Sequence, residues 1–157
     1  MSNFKYILKI SVMSLSTFFV AACEKPIYFE LNKGEVRESN KPYNLTDIQV
    51  SNAEALYIAI RDKDKNKIQS LTGETLFNEL EEDPALLDEI SSYIPYYEKL
   101  VSKKMIEHTE TKHSKYGDLI EATFKYEYEK RTVYYSVVFM KNDSNNKIVG
   151  GNLKLEM

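Results

Sequence analysis

The chain has 157 residues, with 21 basic and 24 acidic side chains, a formal net charge of −3 and a single cysteine. The acidic balance argues against nucleic acid as a partner, because phosphate binding requires clustered positive charge. One cysteine excludes an internal disulfide, so the fold must be stable without one.

Residues 1–22 have the composition of a secretory signal. Lys5 and Lys9 precede an apolar run over residues 10–20, and small residues follow it. The run is too short to span a membrane, which needs about 20 apolar residues. A lone cysteine at its end is open to two interpretations, a small buried hydrophobe or an attachment point for lipid.

The segment Val20-Ala21-Ala22-Cys23 closely resembles the lipobox of bacterial lipoproteins. The resemblance implies cleavage between Ala22 and Cys23, a diacylglyceryl group on the Cys23 sulfur and acylation of the new amino group. The expected partner is therefore a membrane, reached through acyl chains on Cys23. Glu24 follows, where aspartate is the retention signal of enteric lipoproteins. This implies a cell-envelope location at the outer membrane, facing the periplasm, if the source has two membranes.

Residues 23–46 read as a tether, because charged and turn-forming residues dominate them. Two interpretations remain open for the apolar segment 27–31, a short edge strand or a patch that docks on the domain. Without the leader and its two lysines, about 135 residues with 19 basic and 24 acidic side chains remain, which suits one domain. We assign that domain to residues 47–157.

Four helices are predicted in the first half of this domain. The first covers residues 51–62, with Ser51 and Glu54 as its capping box, and its core stripe contains Ala53, Tyr57 and Ile60. The others are a short helix that ends at Gly73, one around residues 76–80, and one that begins at Asp83-Pro84.

The second half alternates with period two, which predicts strands. Apolar and aromatic residues alternate with polar ones over 120–129, and a run apolar on both faces covers 132–140. Further strands are predicted over 100–112 and 148–157, the last with a bulge or bend at Gly150-Gly151. Helices followed by antiparallel strands predict an α+β fold, with N-terminal helices packed on a curved antiparallel sheet of about four strands.

This order of elements resembles the NTF2-like (cystatin-like) superfamily, whose helices lie in the concave face of such a sheet. The resemblance rests on the helix over 53–60, the turn at 62–66 that leads into residues 68–71, and the strands from 120 to 157. It implies the fold, and for enzymes such as ketosteroid isomerases an acid and a tyrosine buried in the cone. We see no acid inside the apolar stripes.

Few residues suggest chemistry. His108 and His113 are interpreted as solvated histidines near a turn, since a zinc site needs three or four ligands, and we expect neither a metal nor a cofactor. The strand acids Glu121, Glu127 and Glu129 are expected to point to water.

Tyrosine is the one compositional excess, with twelve residues and no tryptophan. Their predicted roles are core packing with the hydroxyl at the rim, or a surface that contacts a ligand or partner. The candidates for such a surface are Tyr57, Tyr93, Tyr96, Tyr97, Tyr126, Tyr128 and Tyr135.

The leading hypothesis is a non-enzymatic, lipid-anchored envelope lipoprotein whose domain binds a ligand or another envelope protein. The alternatives are a periplasmic inhibitor or immunity lipoprotein, and an enzyme of the ketosteroid-isomerase type with a pocket in the cone.

Overall fold

The computed structural model describes residues 45–113 and 116–156, together with the backbone of 27–29 and 36–39. Its elements in chain order are β1 (Ile27–Phe29), β2 (Val36–Ser39), α1 (Asp47–Asp62), α2 (Lys65–Leu71), α3 (Glu74–Glu82), α4 (Pro84–Ser92), β3 (Leu100–His113), β4 (Gly117–Tyr128), β5 (Thr132–Met140) and β6 (Ile148–Glu156). The predicted α+β class, with helices before an antiparallel sheet, is confirmed.

The sheet has the order β1-β6-β5-β4-β3-β2, and each neighbouring pair is antiparallel. The four long strands β3 to β6 form a meander, as the period-two pattern predicted. The short strands β1 and β2 lie at opposite edges and come from the segment interpreted as a tether. Of the two interpretations left open for residues 27–31, the structure shows pairing of Ile27–Phe29 with β6.

The first helix begins earlier than the sequence suggested. Thr46 is the N-cap, and its side chain accepts a hydrogen bond from the Gln49 amide while the Gln49 side chain accepts one from the Thr46 amide. The predicted capping box at Ser51 and Glu54 is therefore wrong, since both residues lie inside α1. Gln49 is buried, so the added first turn belongs to the packed part of the helix.

Gly73 lies just past the end of α2, as predicted, with Thr72 as the C-cap between them. It is the N-cap of α3, with a φ of −70°, and it does not adopt the left-handed conformation that a helix C-cap favours in glycine. Its amide donates a 2.8 Å hydrogen bond to the Ile148 carbonyl. An added Cβ would lie 3.3 Å from Val149 Cγ1, so close packing on β6 explains the small residue.

The start of the fourth helix agrees with its prediction. The Asp83 side chain accepts hydrogen bonds from the amides of Ala85 and Leu86, and proline occupies the first turn. Leu87 and Ile90 are buried against the sheet-facing core.

The core lies between the helices and one face of the sheet, which we call the inner face. Residues in register across antiparallel strands share a face, and the inner rows include Phe124–Tyr135–Leu153 and Ile120–Phe139–Ile148. These six side chains are buried together with apolar residues of all four helices.

Bulges change the register of the sheet in two strands, β6 and β3. Val138 pairs with Gly150 and Phe139 with Ile148, which leaves Val149 as the extra residue of β6. The bulge predicted beside Gly150-Gly151 is thus confirmed. In β3, register shifts fall between Leu100 and Ser102 and between Met105 and Glu107.

Candidate functional site

Three of the candidate tyrosines form a stack in the core. The rings of Tyr57 on α1 and Tyr126 on β4 are parallel to within 7°, with centroids 3.9 Å apart. The Tyr135 ring lies 5.2 Å from that of Tyr57. All three residues are buried, so their rings pack the interface between α1 and the sheet.

The stack reaches the rim through Tyr128, which is partly buried. Its hydroxyl lies 2.9 Å from that of Tyr57, and the two share a hydrogen bond. Such a shared bond lets one buried hydroxyl be satisfied while the second hydroxyl stays near water.

Burial is the first cause of the raised pKa values in this cluster. It raises the pKa of Tyr57, helped by the bond from Tyr128, and the pKa of Tyr126, helped by the nearby Glu54 charge. Burial is also the main cause that raises the pKa of Tyr135 well above its usual value. These hydroxyls remain protonated at neutral pH, so the stack supplies no general base.

The Tyr135 hydroxyl is distinct within the stack. Its oxygen is buried and has no hydrogen-bond partner among the described residues. Burial without a partner costs the desolvation of the hydroxyl, about 1–3 kcal/mol. Tyr135 therefore provides packing at the expense of an unsatisfied group.

The other three candidates lie between α4 and β3. Tyr93 is partly buried against the core, whereas Tyr96 and Tyr97 are exposed. Their rings make an edge contact at 5.1 Å, and the Arg61 guanidinium sits 5.7 Å from the Tyr96 ring centroid. The seven candidates thus do not form one surface: Tyr57, Tyr126 and Tyr135 belong to the core, Tyr128 and Tyr93 to its rim, and Tyr96 and Tyr97 to the outside.

Exposed apolar side chains flank an ion pair that links α1 to β3. Lys103 and Met105 pair in register with the buried Tyr126 and Phe124, so they share the inner face with them. Met105 nevertheless remains 40% exposed, and Ile58 on α1 remains 49% exposed. Lys103 Nζ bridges the two elements by an ion pair of 2.6 Å to Glu54. We call these four residues, Glu54, Ile58, Lys103 and Met105, the α1–β3 surface.

Two acids are buried or nearly so, which the sequence pattern did not suggest. Glu110 shares the inner face with Ile120 and receives a 2.8 Å hydrogen bond from Lys141 Nζ. Glu98 pairs with Arg131 at 2.6 Å, and its second carboxylate oxygen has no partner among the described residues. Both carboxylates are held in ion pairs.

The two acids lie at different distances from the hydroxyl of Tyr128. Glu110 lies opposite Ile120, eight residues along β4 from Tyr128, which corresponds to about 27 Å of strand. Glu98 lies close enough to Tyr128 for its charge to contribute to the raised pKa of that tyrosine, after burial.

The outer-face acids differ from one another. Glu127 accepts hydrogen bonds from Lys125 and Ser102, which lower its pKa, and Glu129 is exposed. Glu121 lies on the outer face, as expected, opposite Thr109 and Val138, and is half-buried there. Burial and the nearby charge of Glu107 raise the Glu121 pKa.

His113 is not a solvated turn residue. It is the last residue of β3, it is buried, and its Nδ1 accepts a 3.2 Å hydrogen bond from the Tyr116 amide. His108 is half-buried opposite Ala122 on the inner face. Among the described residues, no group of three or more His, Cys, Asp or Glu side chains could hold a metal.

A cavity of about 170 Å³ lies between the start of α3 and the sheet. It is lined by Gly73, Glu74, Thr75, Leu76, Tyr116, Met140 and Val149. Pockets for drug-sized ligands have volumes of about 300–1,000 Å³, so this cavity would hold only a small group.

The predicted cleavage site between Ala22 and Cys23 and the predicted lipid attachment at Cys23 lie outside the described residues. No helix in the described part of the chain is long and apolar enough to cross a membrane. Comparison with known proteins gives no match to a family model, to a curated protein or to a solved structure.

Proposed function

We propose that this protein is a lipid-anchored lipoprotein of the cell envelope, attached through Cys23. The support is the charged and apolar leader with Val20-Ala21-Ala22 before the only cysteine. Glu24 favours the outer membrane, facing the periplasm, in a source with two membranes. A membrane anchor of this kind draws its strength from buried methylenes, about 0.8 kcal/mol each.

We further propose that the domain acts by binding and not by catalysis, with the α1–β3 surface as its binding site. The observation that carries this proposal is the exposure of Ile58 and Met105 on the two elements that the Glu54–Lys103 ion pair links. Methionine is among the residues enriched at protein interfaces, and the Glu54–Lys103 ion pair links α1 to β3 beside Met105. Tyr126 of the tyrosine stack lies opposite Lys103 of this surface in the sheet register.

The anchor is tested by Cys23→Ala. Because thioether formation needs the Cys23 sulfur, the variant should lose all labelling by radioactive palmitate and accumulate as a precursor or a released form. Labelling that persists in the variant would contradict the anchor. Fractionation of the unaltered protein with the inner membrane would contradict the sorting assignment alone.

The binding surface is tested by photo-crosslinking in intact cells. A photoreactive residue at position 105 of the full chain should give one discrete cross-linked product. The same residue at position 48, where Ile48 is 59% exposed on α1, is the matched control and should give none. Ile58→Asp should remove the product at position 105 by placing a charge in the surface.

Identification of that product decides the class of partner. A hydrolase or toxin would support the inhibitor or immunity alternative, whereas another envelope component would support the leading one. Identical products from positions 105 and 48, or none from position 105, would refute the assignment of the α1–β3 surface.

A further inference from the structure

Four large side chains are exposed at the start of β3 and in the loop before it. Tyr97 is 95% exposed, and Tyr96, Leu100 and Val101 are exposed as well. Single exposed hydrophobic residues are ordinary, but a cluster within six positions is a feature of interaction sites. We call these four residues the sheet tip; none of them belongs to the α1–β3 surface.

The register places the sheet tip at one end of the domain. Leu100 lies opposite Tyr128, next to the β4–β5 hairpin, and β6 ends at Glu156 on the same side. The last turn of α1 is also there, because Arg61 contacts Tyr96. The first turns of α1 lie at the other end, where Asn52 donates a hydrogen bond to the Asn146 carbonyl in the β5–β6 turn.

The chain enters the sheet from this same end. β1 is antiparallel to β6, with Ile27 opposite Leu153 and Phe29 opposite Gly151, so the N-terminal side of β1 faces the end at which β6 finishes. Cys23 precedes Ile27 by four residues, which span about 14 Å at most. Four strand spacings, about 19 Å, separate β1 from β3.

We propose that the sheet tip rests on the surface of the lipid bilayer that holds Cys23. The inference rests on the proposed anchor, which brings this end of the domain, and not the other, to the headgroups. Tyrosine rings are suited to the headgroup level of a bilayer, and aliphatic side chains to the layer beneath it. Lys99 and Lys104 flank the tip and form no ion pair among the described residues, so they are available to lipid phosphates.

A second copy of the chain fits the sheet tip less well. Strand addition at the β3 edge is opposed by the two register shifts at its start and by Lys103 and Lys104, since bulges and edge lysines blunt edge pairing. A bilayer needs no strand register and accepts an irregular edge.

Fluorescence tests the proposal, because the chain has no tryptophan. Tyr97→Trp in the full chain places the only indole at the sheet tip. Ile48→Trp places it at the opposite end, on a site that is also exposed, at 59%. Each variant is reconstituted in vesicles of phosphatidylethanolamine and phosphatidylglycerol, with and without brominated acyl chains.

We expect blue-shifted emission and strong bromine quenching for Trp at position 97, and water-like, unquenched emission at position 48. Val101→Asp in the Tyr97→Trp chain should diminish the quenching. Equal quenching at both positions, or none at position 97, would overturn the proposal. So would a blue shift at position 97 that grows with protein concentration without bromine quenching, which would identify a protein contact.

The same samples separate the tip from the anchor. A chain that carries acyl groups but shows no quenching at position 97 contradicts only the tip. A chain without acyl groups that is still quenched there contradicts only the anchor.

Discussion

Removal of a hydroxyl from Tyr135 should stabilise the protein, whereas the same change in its neighbour Tyr57 should destabilise it. Both tyrosines belong to the core stack, with ring centroids 5.2 Å apart. They differ in their hydrogen bonds, because the Tyr57 hydroxyl bonds to Tyr128 and the Tyr135 hydroxyl has no partner among the described residues. The two substitutions therefore isolate the effect of that difference.

The magnitudes follow from the hydroxyl environments. Tyr135→Phe relieves an unsatisfied buried group and keeps the ring contacts, so the free energy of unfolding should rise by about 1 kcal/mol. Tyr57→Phe loses one hydrogen bond and leaves the Tyr128 hydroxyl at the partly wet rim, so that free energy should fall by about 1 kcal/mol. A domain of this size converts 1 kcal/mol into a change of about 3 °C in Tm.

Urea unfolding followed by circular dichroism measures both changes. Tyr134→Phe is the control, because its hydroxyl bonds to Glu156 at an exposed position and its effect should stay within about 0.5 kcal/mol. A decrease of 1 kcal/mol or more for Tyr135→Phe would refute the reasoning, since it would mean that the hydroxyl has a partner such as an enclosed water.

Three further predictions concern the core and the outer face. Burial raises the pKa values of the buried tyrosines. Their contribution to stability is therefore complete below about pH 10, the pKa of tyrosine in the unfolded chain, and is lost at higher pH. In a pH titration, tyrosinate absorbance from these residues should appear together with unfolding. Glu121→Gln should raise the urea midpoint at pH 7, because it removes a half-buried charge beside Glu107, whereas Glu129→Gln on the exposed hairpin should not; equal shifts would exclude burial as the cause. Phe124→Ala should lower the free energy of unfolding by about 3–5 kcal/mol, much of a total of about 5–15 kcal/mol, while Lys125→Ala on the outer face should leave Tm almost unchanged; comparable losses in thermal melts would mean that the strand register is wrong.

The sequence was most informative where one local rule decided the structure. Alternation over 120–128 predicted β4, and the run apolar on both faces predicted β5 with its observed bounds. Asp83-Pro84 predicted the start of α4, because cap and proline agree there. Local rules failed where two solutions satisfied them equally. Thr46–Gln49 and Ser51–Glu54 both fit a capping box, and the longer helix forms because it also buries Gln49.

The burial of Glu110 depends on a bulge in β3 that no local sequence pattern reveals. Simple alternation from the inner-facing Met105 would direct Glu110 outward. The extra residue at Ile106 shifts the register of β3, so His108 and Glu110 lie on the inner face beside Ala122 and Ile120. A bulge of this kind re-aims every later side chain of its strand. The sequence therefore did not indicate that an acid would be buried in this fold.

The weakest strand pattern in the sequence carries information of its own. Lys103 lies on the inner face opposite Tyr126, where it pairs with Glu54, whereas Lys104 lies on the outer face opposite Lys125. Met105, the next inner-face residue, is 40% exposed. Ile58 lies one helical turn after Glu54 and is exposed as well, although a helix stripe alone would have assigned it to the core. Exposed apolar side chains beside an irregular strand are features of interaction sites, and they are the reason why we propose the α1–β3 surface for binding.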